Sequence, residues 1–144
     1  MALKVTKTDI WSAEINDQPG GLAAIIETIA GAGANLECLI ARRQPNKPGK
    51  GLVFVTPLKG RRVRAAAARA GFRKSLRIAT LKIEGNDRAG LGAAIARTVG
   101  TAGVNFRGTS ATVIGRKFVC YLGFDNWDDA NKAAAALKAL NRKK

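Results

Sequence analysis

The sequence predicts an α+β protein built from two copies of one β-α-β-β-α unit, each an antiparallel sheet with helices packed on one face. Three observations predict it. A stretch of 21 residues recurs 70 positions downstream without a gap. Short apolar runs with loose alternation, the mark of strands, flank each copy. Apolar residues at helical spacing run through the middle of each.

The repeat sets residues 16–36 over residues 86–106. Ten positions are identical: Asn16/Asn86, Asp17/Asp87, Gly20/Gly90, Ala23/Ala93, Ala24/Ala94, Ile25/Ile95, Thr28/Thr98, Ala32/Ala102, Gly33/Gly103 and Asn35/Asn105. Alanine-rich composition accounts for some matches, but not for Asn-Asp, Gly and Gly-x-Asn in one register. At 144 residues, length alone suggests one domain. The repeat divides the chain into two units, 1–71 and 72–144.

In the first copy, residues 10–15 read as a strand and residues 17–21 as a turn, with Pro19 suited to a turn or first helical turn. Leu22, Ile25, Ile26 and Ile29 form the stripe of a helix that Gly31 and Gly33 end. Residues 36–40 make a second strand, 44–51 a polar breaker-rich connection, and 52–58 a third strand. Residues 60–71 make a second helix that buries Val63, Ala66, Ala67 and Ala70. A short closing strand is expected at 72–77.

The second copy repeats the order. Residues 78–83 form a strand, and Leu91, Ile95, Val99 and Ala102 a helical stripe. Asn105 opens a strand over 106–114, and 115–117 turn into a strand with Phe118, Cys120, Leu122 and Phe124 on one face. The last helix runs from Trp127 to Leu140, with Trp127, Ala130, Ala134, Leu137 and Leu140 inward. Asp128 and Asp129 lie at its positive end, and Lys138 and the basic residues 142–144 at its negative end.

This order is the split β-α-β, ferredoxin-like pattern. The second copy has no closing strand of its own. Residues 3–7, ahead of the first strand, are expected to fill that place, in the same chain or in a partner. Units of about 70 residues bury small cores, so the two are expected to pack together. An eight-stranded sheet formed edge to edge would protect exposed edges.

Composition excludes several function classes. Histidine is absent, which removes His-based acid–base chemistry and His metal sites. There is no convergent carboxylate pair, no phosphate loop and no activated nucleophile, so no catalytic residues are expected. Cys38 and Cys120 stand far apart, against a zinc site or a disulfide framework. They read as buried small groups of a protein in a reducing compartment. No metal and no cofactor are expected. The first residues lack an apolar targeting segment, and no apolar run is long enough to span a membrane, so a cytoplasmic protein without membrane contact is expected.

The repeated motif resembles the ACT domain: an apolar strand, Asp-x-Pro-Gly, an apolar helix, Gly-Ala/Val-Asn and a strand. Asp17-Gln18-Pro19-Gly20 with Gly33-Ala34-Asn35 carries it in the first copy, and Asp87-Arg88-Ala89-Gly90-Leu91 with Gly103-Val104-Asn105 in the second. The resemblance covers nearly the whole chain. Two positions depart from it: Ala89 stands where the family favours proline, and Gly21 where it favours leucine. The resemblance implies a stand-alone regulatory protein that binds a small molecule, most often an amino acid. It would signal through domain or subunit association as a dimer, or through a regulated protein partner.

The ligand candidates are Asp17, Gln18, Pro19, Gly20, Gly21, Leu22 and Asn35 in the first copy, and Asp87, Arg88, Ala89, Gly90, Leu91 and Asn105 in the second. Glycines at a helix start let backbone N–H groups approach a carboxylate, which the helix dipole favours. A nearby Asp or Asn would hold the ammonium group. The same residues also suit local roles: Asp17 and Asp87 as helix N-caps or turn residues, and the glycines as turn and cap positions.

A net charge of +15, from 25 Lys and Arg against 10 Asp and Glu, is not explained by amino-acid binding. It makes a nucleic-acid-binding protein the alternative reading. The strand 117–124 carries aromatics as RNA-binding strands do. However, Phe118 and Phe124 share a face with Cys120 and Leu122, which reads as core.

Overall fold

The computed structural model describes residues 2–75 and 78–141. In chain order the elements are β1 (Lys4–Thr8), β2 (Trp11–Asn16), α1 (Gly21–Gly31), β3 (Cys38–Arg43), β4 (Lys50–Thr56) and α2 (Arg61–Arg69). There follow β5 (Arg73–Lys74), β6 (Ala79–Asn86), α3 (Leu91–Thr101), β7 (Gly108–Ile114), β8 (Lys117–Phe124) and α4 (Trp127–Leu140). Most elements lie where the apolar spacing puts them. The strands expected to open at residues 36 and 106 begin only at Cys38 and Gly108. The expected closing strand at 72–77 is the two-residue β5; Leu76 and Arg77 lie outside the described residues, as does the basic tail at 142–144.

Two antiparallel four-stranded sheets form, in the orders β3-β4-β2-β5 and β1-β6-β8-β7. Both orders are the ferredoxin-like one. No strand of one sheet pairs with a strand of the other among the described residues, so two sheets of four stand in place of the expected eight-stranded sheet. The chain divides into a first unit, Asp9–Ser75, and a second, Met1–Thr8 with Leu76–Lys144. These bounds differ from 1–71 and 72–144 because the first strand crosses to the second unit. There β1 pairs antiparallel with β6, from Lys4 opposite Glu84 to Thr8 opposite Thr80.

That closing strand is held at its start by α4. Asn141 Oδ1 accepts the Leu3 N–H at 2.8 Å, and Asn141 Nδ2 donates to the Leu3 carbonyl at 2.7 Å. Leu3 itself is buried in the second core. A Cβ on Gly85 would lie 2.8 Å from Leu3 Cδ2, the movable end of that side chain, so the closing strand passes close over Gly85.

The two cores differ in bulk. The second gathers Leu81, Ile83, Leu91, Ile95, Val99, Phe118, Leu122, Phe124 and Leu137, all buried. The first relies on Val53, Val55, Ile29, Val63, Ala67 and Phe72. Leu22, Ile25 and Ile26 of the expected α1 stripe are only half-buried, because α2 offers Val63 and alanines to cover them. Trp127 was expected inward but is exposed. As the first residue of α4 it lies at the margin of the core, with Lys7 Nζ 5.7 Å from its ring centroid. The start of α4 is capped by Asn126, whose Oδ1 accepts the Asp129 N–H at 2.8 Å.

Removing residues 1–8 is expected to lower the melting temperature of the second unit and speed amide exchange in β6, leaving Val53 and Val55 protected. Asn141→Ala, which leaves both Leu3 groups without their partner, is expected to cost about 1–3 kcal/mol in a denaturation experiment. Burial pushes the Cys120 thiol up to about 12. At pH 8 it is therefore expected to resist a thiol reagent until the protein unfolds, as mass spectrometry would show.

Candidate functional site

Each unit enters its first helix through a turn at the same place in the repeat. After β2, residues 17–20 lead into α1; after β6, residues 87–90 lead into α3. Gly20 (φ 80°, ψ −6°) and Gly90 (φ 82°, ψ 2°) both adopt the left-handed conformation that glycine accepts freely. These glycines, not the aspartates, are the N-cap residues, and neither helix has a side-chain cap or an acidic first turn. Among the described residues, the Leu22 and Ala23 amides of α1 and the Gly92 and Ala93 amides of α3 meet no acceptor. The positive end of each helix is therefore open to an anion.

The aspartates sit in different electrostatic settings. Arg43 Nε, at the end of β3, donates to Asp17 Oδ2 at 2.8 Å. Beside this pair, Lys47 Nζ lies 2.9 Å and Gln44 Nε2 3.0 Å from Glu14 Oε2. These two donors, Lys47 first, hold the Glu14 carboxyl below its ordinary range. Because the native-state value is the lower one, this interaction supports folding above the usual carboxylate range and fades as the pH falls through it.

The second unit keeps one element of this arrangement. Lys117 Nζ reaches Asn86 Oδ1 at 3.1 Å, as Lys50 Nζ reaches Asn16 Oδ1 at 2.8 Å, and both pairs are register partners. Arg43 faces Gly51, the residue after Lys50, and Val113 faces Phe118, the residue after Lys117. Val113 thus occupies the place of Arg43. Among the described residues Asp87 has no ion pair and no side-chain hydrogen bond, and the edge strand beside its turn exposes Val113 (45%) and Ile114 (73%).

The turns also differ in shape. In the first, the Gln18 N–H donates back to the Asn16 carbonyl at 3.0 Å. A Cβ on Gly21 would collide with that same Asn16 oxygen. The repeat position in the second unit holds Leu91, which is 1% exposed and part of the core. Gly21 is thus a backbone requirement of the tighter turn.

Asn35 and Asn105 follow the far ends of α1 and α3. Each helix has 11 residues, a rise of roughly 16 Å. Within one unit, then, the Asp turn and the Asn do not converge. Gln18, Pro19, Arg88 and Ala89 are exposed on the turns, and Leu22 is half-buried at the start of α1. Sequence reasoning did not single out Arg43, although the 70-residue offset that pairs it with Val113 contained the signal. Among the described residues no group of three His, Cys, Asp or Glu side chains could hold a metal ion. Nor is any helix among them long and apolar enough to cross a membrane.

Solved structures share this fold over nearly the whole chain. A Bacteroides thetaiotaomicron protein matches with a TM-score of 0.79 at 14% identity, covering 95% of this chain and 90% of that one. The ligand-free regulatory subunit of aspartate kinase from Thermus thermophilus matches with a TM-score of 0.63 at 19% identity, covering 98% and 94%. Aspartokinase III from E. coli, in complex with aspartate and ADP, matches at 0.59 and 13% identity, covering 96% of this chain and 32% of that one. The fold is ACT-like. No protein-family model matches the chain, and no curated protein matches it. At these identities the likeness is one of fold.

The two turns give a paired expectation in thermal denaturation. Gly21→Ala forces a Cβ onto the Asn16 carbonyl and is expected to destabilise by about 1–3 kcal/mol. Gly92→Ala, early in α3 where no atom lies within 4 Å of the added carbon, is expected to stabilise by about 0.5–1 kcal/mol.

Proposed function

We propose that this chain is a non-catalytic regulatory protein that binds an amino-acid-type ligand at the 87–91 turn of its second unit. The observation that carries this reading is the unpaired Asp87 beside the uncapped start of α3, where its counterpart Asp17 is tied to Arg43. The chemistry follows from the residues. Asp87 accepts the ligand's ammonium group. The free amides of Gly92 and Ala93, at the positive end of α3, accept its carboxylate. Val113, at the place Arg43 holds in the first unit and register partner of Phe118, gives its side chain an apolar neighbour, which favours an aliphatic amino acid over a charged one.

The regulatory part of the proposal draws on the neighbours of the fold, one of which is named a regulatory subunit of aspartate kinase. Ligand binding would change how this chain associates with a second copy or with a regulated partner. In the first unit, Arg43 occupies the aspartate that a ligand ammonium would need, so that turn serves structure.

The test is the melting temperature against the twenty amino acids at moderate salt. A ligand at about 100 times its Kd adds roughly 2.7 kcal/mol to the folded state. A selective upward shift is expected, abolished by Asp87→Asn and retained by Asp17→Asn. No shift with any amino acid, or a shift lost with Asp17→Asn instead, overturns the assignment.

A further inference from the structure

The Lys59–Lys74 stretch carries seven Lys and Arg residues and no Asp or Glu. It spans α2 and β5, and all seven cations are exposed. Among the described residues the side chains of Lys59, Arg61, Arg62, Arg69 and Arg73 make no ion pair and no hydrogen bond, and only Lys74 has a carboxylate, Asp9 at 3.3 Å. Arg64 is oriented by donating from Nε to the Leu58 carbonyl at 3.0 Å, which leaves its other guanidinium nitrogens unpaired.

This charge works against the helix that carries it. Arg61, Arg62 and Arg64 crowd the first turns of α2, at the positive end of its dipole, with no acidic residue there to offset them. At 100° per residue, the buried Val63, Ala66 and Ala67 fix the inner face. Arg61, Ala65 and Ala68 then run along the centre of the outer face, with Arg64 on one flank and Arg62 and Arg69 on the other. Two short alanines between arginine walls let an extended anion approach the helix closely.

We infer that the outer face of α2, continued by Arg73 and Lys74 on β5, binds duplex nucleic acid through its phosphates. The composition of the face selects this partner. Five of the seven cations are arginines, whose forked donors suit phosphate oxygens. A membrane-binding face needs bulky apolar side chains among its cations, and α2 presents only alanine between them. A protein partner needs buried aromatic or apolar anchors, which the face lacks. It has no exposed aromatic on which unpaired bases would stack. Phosphate contact without base-edge contact is binding that ignores sequence.

Fluorescence anisotropy with a labelled duplex of about 20 base pairs, titrated with the full chain between 50 and 200 mM salt, tests this. With about five phosphates neutralised, affinity is expected to fall roughly 500-fold over that range. The triple variant R61Q/R62Q/R69Q is expected to flatten the log–log salt slope by about 2.7. R61K/R62K/R69K should keep the slope, which separates loss of charge from loss of fold. R97Q/R116Q/K132Q removes the same charge from the second unit and should bind nearly as the parent does. Absence of duplex binding at 50 mM salt overturns the inference. So does an unchanged slope in the glutamine variant, or an equal loss in the second-unit control. Binding of poly-glutamate or anionic vesicles in place of the duplex also overturns it.

Discussion

The antiparallel pairing of β1 with β6 is the contact on which the rest of this architecture depends. Without it the second sheet lacks its fourth strand and β6, otherwise flanked on both sides, becomes an edge. With it, the first unit becomes an insertion between the first strand of the second unit and the remainder. Such a pairing closes a loop of some seventy residues, an entropic cost that must be met by later contacts. The first unit reduces that cost by bringing its own ends together. β5 pairs with β2, the Ser75 N–H donates to the Ile10 carbonyl at 2.8 Å, and Lys74 meets Asp9. The residues on either side of the insertion are then neighbours, and β1 is delivered to the edge of β6.

Two copies of one motif have been carried in different directions by a few substitutions. The left-handed glycines at 20 and 90 keep both helix starts alike. Thr28 and Thr98 both return a hydroxyl hydrogen bond to the carbonyl four residues earlier, at 3.1 Å and 2.7 Å. Against that common frame, Arg43 at the place of Val113 gives the first turn aspartate an ion partner that Asp87 lacks among the described residues. The first turn is cross-braced by charge pairs between β2, β3 and the β3–β4 connection. The second turn is braced by its core residue Leu91 and by the Asp87 N–H, which donates to the Arg116 carbonyl at 2.8 Å, while the Asp87 carboxylate has no ion pair and no side-chain hydrogen bond among the described residues.

Much of this was legible in the amino-acid order. The alternation of Phe118, Cys120, Leu122 and Phe124 marks the inner face of β8, and all four are buried. Leu91, Ile95 and Val99 of the expected stripe mark the inner face of α3 for the same reason, the period saying which side faces apolar neighbours, whereas Ala102, the residue that caps the end of the helix, is exposed. Periodicity did not reveal the exposure of Trp127, because a residue at the first position of a helix shares the inward stripe without having core beside it. Nor did motif spacing reveal that Asn35 and Asp17 are kept apart, since a motif written as a string hides the length of the helix inside it.

The sequence by itself determined the two-fold repeat, the type and order of its elements, the glycine turns and the excess of positive charge. Each of these rests on local spacing or on composition, which need no partner to be read. The sequence also pointed to residues 3–7 as the closing strand of the second unit; only the tertiary structure decided that they close it within the same chain and that the strands form two sheets of four. It also decided that Arg43 pairs with Asp17 while Asp87 has no ion pair among the described residues. Those outcomes turn on register between strands far apart in the chain. A shift of one residue there would send every side chain to the opposite face.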